Sequence, residues 1–284
     1  MTALRERMLH DMRVRNLSPK TQYGYLRAVE GLARHCRKPP DQISQREVED
    51  YIAHLFTERK YASGSCHGTV TGLRFFFMTT LRLQPNEFLL PSLRRSTSLP
   101  EILSTREVER LLAAVKNPKH RALLMTTYGG GLRVGEVVRL RLSDIHSDRM
   151  MIRVEQGKGR KDRYTLLSRR VLETLRSYWS SYRPRVWLFP GYTGEPMSVR
   201  SPQKVYRCAV EKAGIQRKGG IHTLRHCFAT HLLEAGVDLR TIQLLMGHRS
   251  IISTMRYLHV TSKSLQGTPS PMDLLGLPET RTRP

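Results

Sequence analysis

The tightest constraint on the fold lies in residues 221–257, which read I-H-T-L-R-H-C-F-A-T-H-L-L-E-A-G-V-D-L-R-T-I-Q-L-L-M-G-H-R-S-I-I-S-T-M-R-Y. The punctuation of this run divides it into helices. Gly236 ends a first helix, because glycine accepts the left-handed conformation. Asp238 caps a second, because its carboxylate accepts from the unpaired N–H groups of a first turn. That second helix packs Leu239, Ile242, Leu245 and Met246 and stops at Gly247. His248 follows at the mouth of a turn, and Ser250 caps a last short helix that ends near Tyr257. On the first helix, residues three, four and seven apart share a face. His222, Arg225, His226 and Ala229 then make one stripe, with room over Ala229 for a bulky anion. Leu224, Cys227, Phe228, His231 and Leu232 make an apolar stripe that reads as an ordinary core face.

Two earlier stretches carry further candidates. In Y-G-G-G-L-R-V-G-E-V-V-R-L, three glycines allow a sharp turn and place Arg133 at the start of a helix, beside Glu136. A surface ion pair between those two is the plainer alternative. The absence of a GxxxxGK[ST] pattern argues against a nucleotide P-loop. Residues 150–156 and 163–167 alternate apolar and polar around G-K-G-R-K-D, which predicts a β-hairpin with a basic tip at Lys158. Read alone, Lys158 is either a solvated turn lysine or an ammonium able to swing into a DNA groove.

H-T-L-R-H, then L-M-G-H, then a tyrosine nine residues on, resembles the tyrosine recombinases, or phage-type integrases, and most closely their compact Xer-like members. Arg133 and Lys158 complete the family's set, so the resemblance reaches well beyond one motif. It implies Arg133, Lys158, His222, Arg225, His248 and Tyr257 as catalytic residues, with Lys161 and Arg163 as alternates for the lysine. It also implies cutting and rejoining of double-stranded DNA through a 3′-phosphotyrosyl link, without cofactor, metal or ATP. Assembly would be a homotetramer on paired sites, formed from a chain that is monomeric when free. The chain departs from the family's frequent residues at Cys227, where Thr is common, and at Met246, where Leu is common. Neither position belongs to the implied chemistry.

The rest of the sequence predicts a mainly α fold with a small hairpin or sheet, α+β in its second half. Ser18-Pro19 is a cap followed by proline at the first helical position, before Tyr23, Leu26, Val29, Leu32 and Ala33 at helical spacing. Ser44 with Glu47 and Ser104 with Glu107 are capping boxes. The first box opens a helix with Val48, Ile52, Leu55 and Phe56 facing inward, and residues 64–81 make another around Val70, Leu73, Phe76 and Phe77. Residues 1–90 therefore read as a helical bundle, 91–103 as a proline-containing linker, and 104–284 as a second domain whose tail begins near 261. By resemblance these are a core-binding domain and a catalytic domain that together clamp DNA. Met272, Leu274, Leu275 and Leu277 form an apolar cluster in the tail that needs a groove, in the same chain or, as the resemblance implies, in a neighbour.

Charge supports the nucleic-acid reading. Lys and Arg number 48 against 24 Asp and Glu, a net charge of +24, which calls for a polyanionic partner. No apolar run approaches the roughly 18 residues of a membrane span, and the charged N-terminus does not read as a signal peptide. Cys36, Cys66, Cys208 and Cys227 lack CxxC spacing and read as reduced thiols of a cytoplasmic protein.

Phosphodiester cleavage needs a nucleophile, cationic donors for the non-bridging oxygens and an acid for the leaving oxygen. Tyr257 is the nucleophile candidate, yet a phenol of pKa about 10 is barely ionised at neutral pH and needs help. Arg133 and Arg225 offer planar forks suited to phosphate. The resemblance makes His222 the base or donor near the tyrosine, His248 a donor to the transition state, and Lys158 the acid. His226 reads as a group that orients its neighbours. Two rivals stand beside this reading. His222 and His226, spaced i and i+4, with His248 would make a three-histidine metal site of a nuclease. The other is a catalytically silent DNA-binding protein of the same fold.

Overall fold

Among the described residues, Ser18, Ser44, Ser104, Asn117, Ser168 and Asp238 each cap the start of a helix through the side chain. The computed structural model describes residues 2–84, 88–93, 101–155, 162–216 and 219–258. Its backbone divides into two units, Met1–Ser98 and Leu99–Pro284.

The only regular elements among the first unit's described residues are helical, and the α-helices are α1 (Ala3–Val14), α2 (Pro19–Cys36), α3 (Gln45–Thr57) and α4 (Ser63–Arg74). The Ser18 hydroxyl accepts from the Thr21 N–H, and the reciprocal box of Ser44 and Glu47 opens α3. Leu26, Val29, Leu32, Val48, Ile52, Leu55, Val70 and Leu73 are buried. Two inward assignments fail. Tyr23 is 65% exposed, because α2 turns Tyr25 and Ala28 towards α4. A Cβ on Gly72 would lie 3.0 Å from the Cβ of Ala28, so only glycine permits that approach. Phe56 is 38% exposed, and Tyr51 takes the inward place on α3.

The single long helix expected over 64–81 is also modified. After α4 the backbone widens into a π-helix over Phe75–Thr80, with Leu81 N–H donating to the Phe76 carbonyl five residues back. The widened turn accommodates Phe76 and Phe77 side by side in the core, each 1% exposed. Phe77 stacks on Phe88 with centroids 4.1 Å apart, so the segment around Phe88 belongs to this core.

The second unit holds α5 (Thr105–Ala113), α6 (Pro118–Gly129) and the single turn α7 (Val134–Val137), followed by β1 (Ile145–His146), β2 (Met151–Val154) and β3 (Arg163–Leu166). The remaining helices are α8 (Arg169–Tyr182), α9 (Arg200–Lys212), α10 (His222–Glu234), α11 (Leu239–Met246) and α12 (Ile252–Met255). The hairpin strands pair antiparallel with Ile152 opposite Thr165, and β1 adds a third strand that the sequence did not announce. Two residues are too short a run for periodicity to register. Thr165 is buried and its hydroxyl donates to the Gly130 carbonyl at 2.8 Å, which pins the sheet to the glycine turn.

Helix α10 is not two-sided. Thr223, Leu224, Arg225, Cys227, Phe228, Ala229 and Thr230 are all buried. Ala229 sits in an apolar cluster with Phe228, Ile242, Met246 and Tyr257, so the room that the sequence left for an anion over Ala229 is filled by the chain itself.

Candidate active site

The glycine turn exists because no other residue fits there. Gly131 has φ +58°, and a Cβ on it would lie 2.3 Å from Cδ1 of Phe228. This close approach brings the Gly131 carbonyl over α10, where Arg225 Nη1 donates to it at 2.5 Å. Arg225 Nη2 donates to the Met246 carbonyl at 2.6 Å, at the C-terminal end of α11, where the helix dipole favours a cation. One buried guanidinium thus joins three parts of the chain. Burial, and then Arg133, push its pKa down to about 9, which leaves it charged at neutral pH.

Glu136 is the hub beneath it. Its side chain is 8% exposed and carries three guanidinium neighbours. Oε1 accepts from Arg133 Nη1 at 2.6 Å and from Arg163 Nη1 at 2.9 Å. Oε2 accepts from the Arg133 backbone N–H and from Arg163 Nη2, both at 2.8 Å. Arg225 Nη1 stands 3.8 Å from Oε2. Burial alone would raise the carboxyl, but hydrogen bonds and charges from Arg163 and Arg133 hold it down to about 2. The surface-pair alternative for Arg133 is therefore half right. The pair forms, but around a buried carboxylate shared with two more arginines.

His248 leaves α11 through Gly247, which is left-handed at φ +60°. Its backbone N–H donates to the Gln243 carbonyl at 3.1 Å, and Gln243 Nε2 donates to the His248 carbonyl at 3.0 Å. Its Nδ1 lies 2.9 Å from Oγ1 of buried Thr254 on α12. Burial, then Arg225, Arg133 and Arg163, hold the ring at about 4, so it is neutral at pH 7.

Tyr257 is 2% exposed, and burial raises its phenol above the ordinary value. Its Oη lies 2.9 Å from Nδ1 of His226. Burial, then His222 and Arg225, hold His226 at about 4, so a neutral imidazole faces the phenol. The sequence pattern and the family resemblance put His222 beside the tyrosine and make His226 an orienting group. The structure places His226 at the phenol. His222, at the first position of α10, keeps solvent access, yet the protein around its ring displaces enough water, with Arg225 and Arg133 next in effect, to lower its pKa.

Arg133, Arg225 and His248 come together around Glu136 and the end of α11. Tyr257 and His226 lie on the neighbouring turn. Lys158 and Lys161 lie outside the described residues. Arg163, an alternate for the lysine, is committed to Glu136 and to the Leu245 carbonyl at 3.0 Å. Gln243 and Thr254 bond His248 across five and six residues, a spacing that no cap or capping-box pattern marks, and the wider role of Glu136 depends on Arg163 and Arg225, which are remote in the chain. Among the described residues no three His, Cys, Asp or Glu side chains converge to hold a metal ion. His226 and His248 direct their Nδ1 atoms to Tyr257 and Thr254 instead.

Comparison with known proteins gives the family. The family model described as phage integrase family matches residues 101–264, and one described as the phage integrase N-terminal SAM-like domain matches residues 4–87. A chain of Sinorhizobium fredii named as an integrase/recombinase is 46% identical over 281 residues, covering 98% of this chain and 91% of its own. Tyrosine recombinase XerC of Pelotomaculum thermopropionicum is 34% identical over 281 residues, covering 89% and 91%. Among solved structures, a lambda integrase tetramer bound to a Holliday junction superposes with a TM-score of 0.75 at 19% identity, covering 90% of this chain and 76% of that one, which is a likeness of fold. These matches favour recombination over the metal-dependent nuclease and the silent DNA-binding protein. The chain belongs to the phage integrase family as a Xer-like tyrosine recombinase, an enzyme of site-specific DNA recombination.

Proposed function

We propose that Tyr257 is the nucleophile. Its phenol oxygen forms a bond to the scissile phosphorus while the bond from phosphorus to the 5′ oxygen breaks. The 5′ oxygen leaves as a hydroxyl, with its proton supplied by Lys158, and a 5′-hydroxyl of another strand reverses the step. The observation that carries this reading is the contact of the Tyr257 phenol with neutral His226, one residue from Arg225 on the same helix. A neutral imidazole accepts the phenol proton, so the role of base moves from His222 to His226. Arg133, Arg225, His222 and His248 supply donors to the phosphate as charge builds on it.

Double-stranded DNA is the substrate in this reading, supported by the net charge of +24 and by the DNA-bound neighbour of similar fold. The chain is monomeric when free and assembles as a homotetramer on paired sites, the state in which lambda integrase is seen on its junction. Residues 1–90 and 104–284 act as core-binding and catalytic domains joined by a linker. The tail beyond about residue 261, for which a groove in the same chain or in a neighbour is expected, lies outside the described residues. The compartment is the cytoplasm. None of the four thiols is in a disulfide, and among the described residues no helix is long and apolar enough to cross a membrane.

Trapping tests the reading. A substrate nicked beside the cleavage point loses its short 5′ fragment, so a covalent adduct accumulates. Wild-type protein should form this adduct in the presence of EDTA, and Tyr257→Phe should bind the same DNA without forming it. An adduct in the Phe variant, or loss of the wild-type adduct on chelation, would overturn the assignment.

A further inference from the structure

Arg163 stands on β3, the strand that leaves the basic hairpin tip, and its side chain is 10% exposed. Its Nε donates to the Leu245 carbonyl at 3.0 Å, in the last turn of α11. Its Nη1 and Nη2 donate to the two oxygens of Glu136 at 2.9 and 2.8 Å. The channel for this side chain is cut to fit. A Cβ on Gly247 would lie 2.7 Å from Cδ of Arg163 and 3.1 Å from its Nε, so the residue before His248 has to be glycine while Arg163 runs past it. A lysine fills such a three-point site poorly, having one point charge in place of a fork.

The carboxylate bookkeeping gives this fork a purpose. An ionised carboxylate offers about four lone-pair sites. On Glu136, Arg163 fills two, and the Nη1 and backbone N–H of Arg133 fill the other two. Arg225, at 3.8 Å, is left outside the hydrogen-bonded set and is held by two carbonyls instead. Were Arg163 absent, two acceptor sites would open beside Arg133 and Arg225. The buried carboxylate would then compete with the substrate phosphate for their N–H groups.

We propose that Arg163 is a positioning residue for strand cleavage. It saturates Glu136 so that Arg133 and Arg225 stay available to the phosphate, and it ties the end of α11 so that His248 stays beside them. The inference rests on the assignment of Tyr257, Arg133 and Arg225 made above.

The test compares Arg163→Gln and Arg163→Lys with wild type for adduct formation on the nicked substrate and for binding of the same DNA. Misplacing catalytic groups by about an ångström costs about 10²-fold in rate. A loss of that order is expected in both variants, with affinity for DNA retained. Two modified substrates separate positioning from other roles. A methylphosphonate at the scissile position removes the non-bridging charge that the arginines serve, so the defect should shrink on it. A 5′-bridging sulfur leaves without an acid, so the defect should persist on it. Equal cleavage by wild type and Arg163→Gln would overturn the proposal, as would rescue by the sulfur substrate, which would make Arg163 the acid. If Arg163→Gln does not fold, Arg163→Lys decides by the same criteria, and wild-type rates in it overturn the proposal. Failure of wild type itself to form an adduct would instead count against the assignment of Tyr257.

Discussion

The phenol oxygen of Tyr257 lies 2.9 Å from Nδ1 of His226, which precedes it by 31 residues. Both groups are held neutral, the phenol because burial raises it and the imidazole because burial lowers it to about 4. The tyrosine therefore sits in the apolar cluster with Phe228, Ala229, Ile242 and Met246, uncharged and in contact with a neutral imidazole.

Acid should expose the cost of keeping these histidines neutral. His226 and His248 have folded pKa values of about 4 against an ordinary 6.5. Between those values the unfolded chain binds more protons than the folded one, so stability rises with pH. It is complete above about 6.5 and is lost as pH falls through about 4. Melting temperature measured from pH 7 to pH 4 should fall in wild type, and His226→Gln and His248→Gln should each flatten that fall. A wild-type curve that is no steeper than the variants' would show that these rings are not buried as described.

Glu136 gives a second, lower acid step. Its folded pKa of about 2 lies below the ordinary 4.5, so its contribution is present above 4.5 and disappears as pH falls through about 2. Glu136→Gln leaves three guanidinium groups without their common counter-charge. Breaking a buried ionic set from one side typically costs about 3–5 kcal/mol. Urea denaturation at pH 7 should show a loss of that order, and a change below 1 kcal/mol would mean that the arginines find other partners.

Arg133 and Arg225, the two arginines proposed to serve the phosphate, should separate when stability and chemistry are measured together. The Arg133 side chain is 24% exposed, and losing one such donor costs about 10²–10³ in rate. Arg133→Ala should show this loss with a smaller fall in melting than Arg225→Ala, because Glu136 keeps Arg163 and the backbone N–H of residue 133. Arg225→Ala also abandons the Gly131 and Met246 carbonyls, each worth about 1–3 kcal/mol when left buried and unpaired. It should lose rate and melting temperature alike. Equal thermal stability of the two variants would contradict the buried position of Arg225.

Glycine positions give a steric test. Gly131→Ala meets both a left-handed backbone and the Phe228 ring at 2.3 Å, whereas Gly194→Ala, at φ +83°, meets nothing within 4 Å. The backbone term alone costs roughly 1–2 kcal/mol. Gly194→Ala should lose about that much, and Gly131→Ala distinctly more, with cleavage reduced because the Arg225 acceptor moves. Calorimetric melts rank the two, and the reverse order would contradict the packing of the turn on α10.

Sequence alone determined the features whose partners lie within one turn of chain. Ser18, the Ser44 and Glu47 box, the Ser104 and Glu107 box, Asp238 and the stop at Gly247 are each bonded as their local pattern dictates. The motif residues Arg133, His222, Arg225, His248 and Tyr257 were also named from sequence, because a family pattern is a statement about residue types in order. Tertiary structure decided everything that depends on remote partners. It exposed Tyr23 and Phe56, and it widened the helix around Phe76 and Phe77. It closed the space over Ala229 and moved the tyrosine's partner from His222 to His226. It also made Glu136 a hub and Arg163 part of the frame. The physical reason is distance along the chain. Arg225 finds Gly131 across 94 residues, Arg133 reaches Gly247 across 114, and Arg163 reaches Leu245 across 82. No periodicity encodes those meetings, which follow from helices and a small sheet packing on one core.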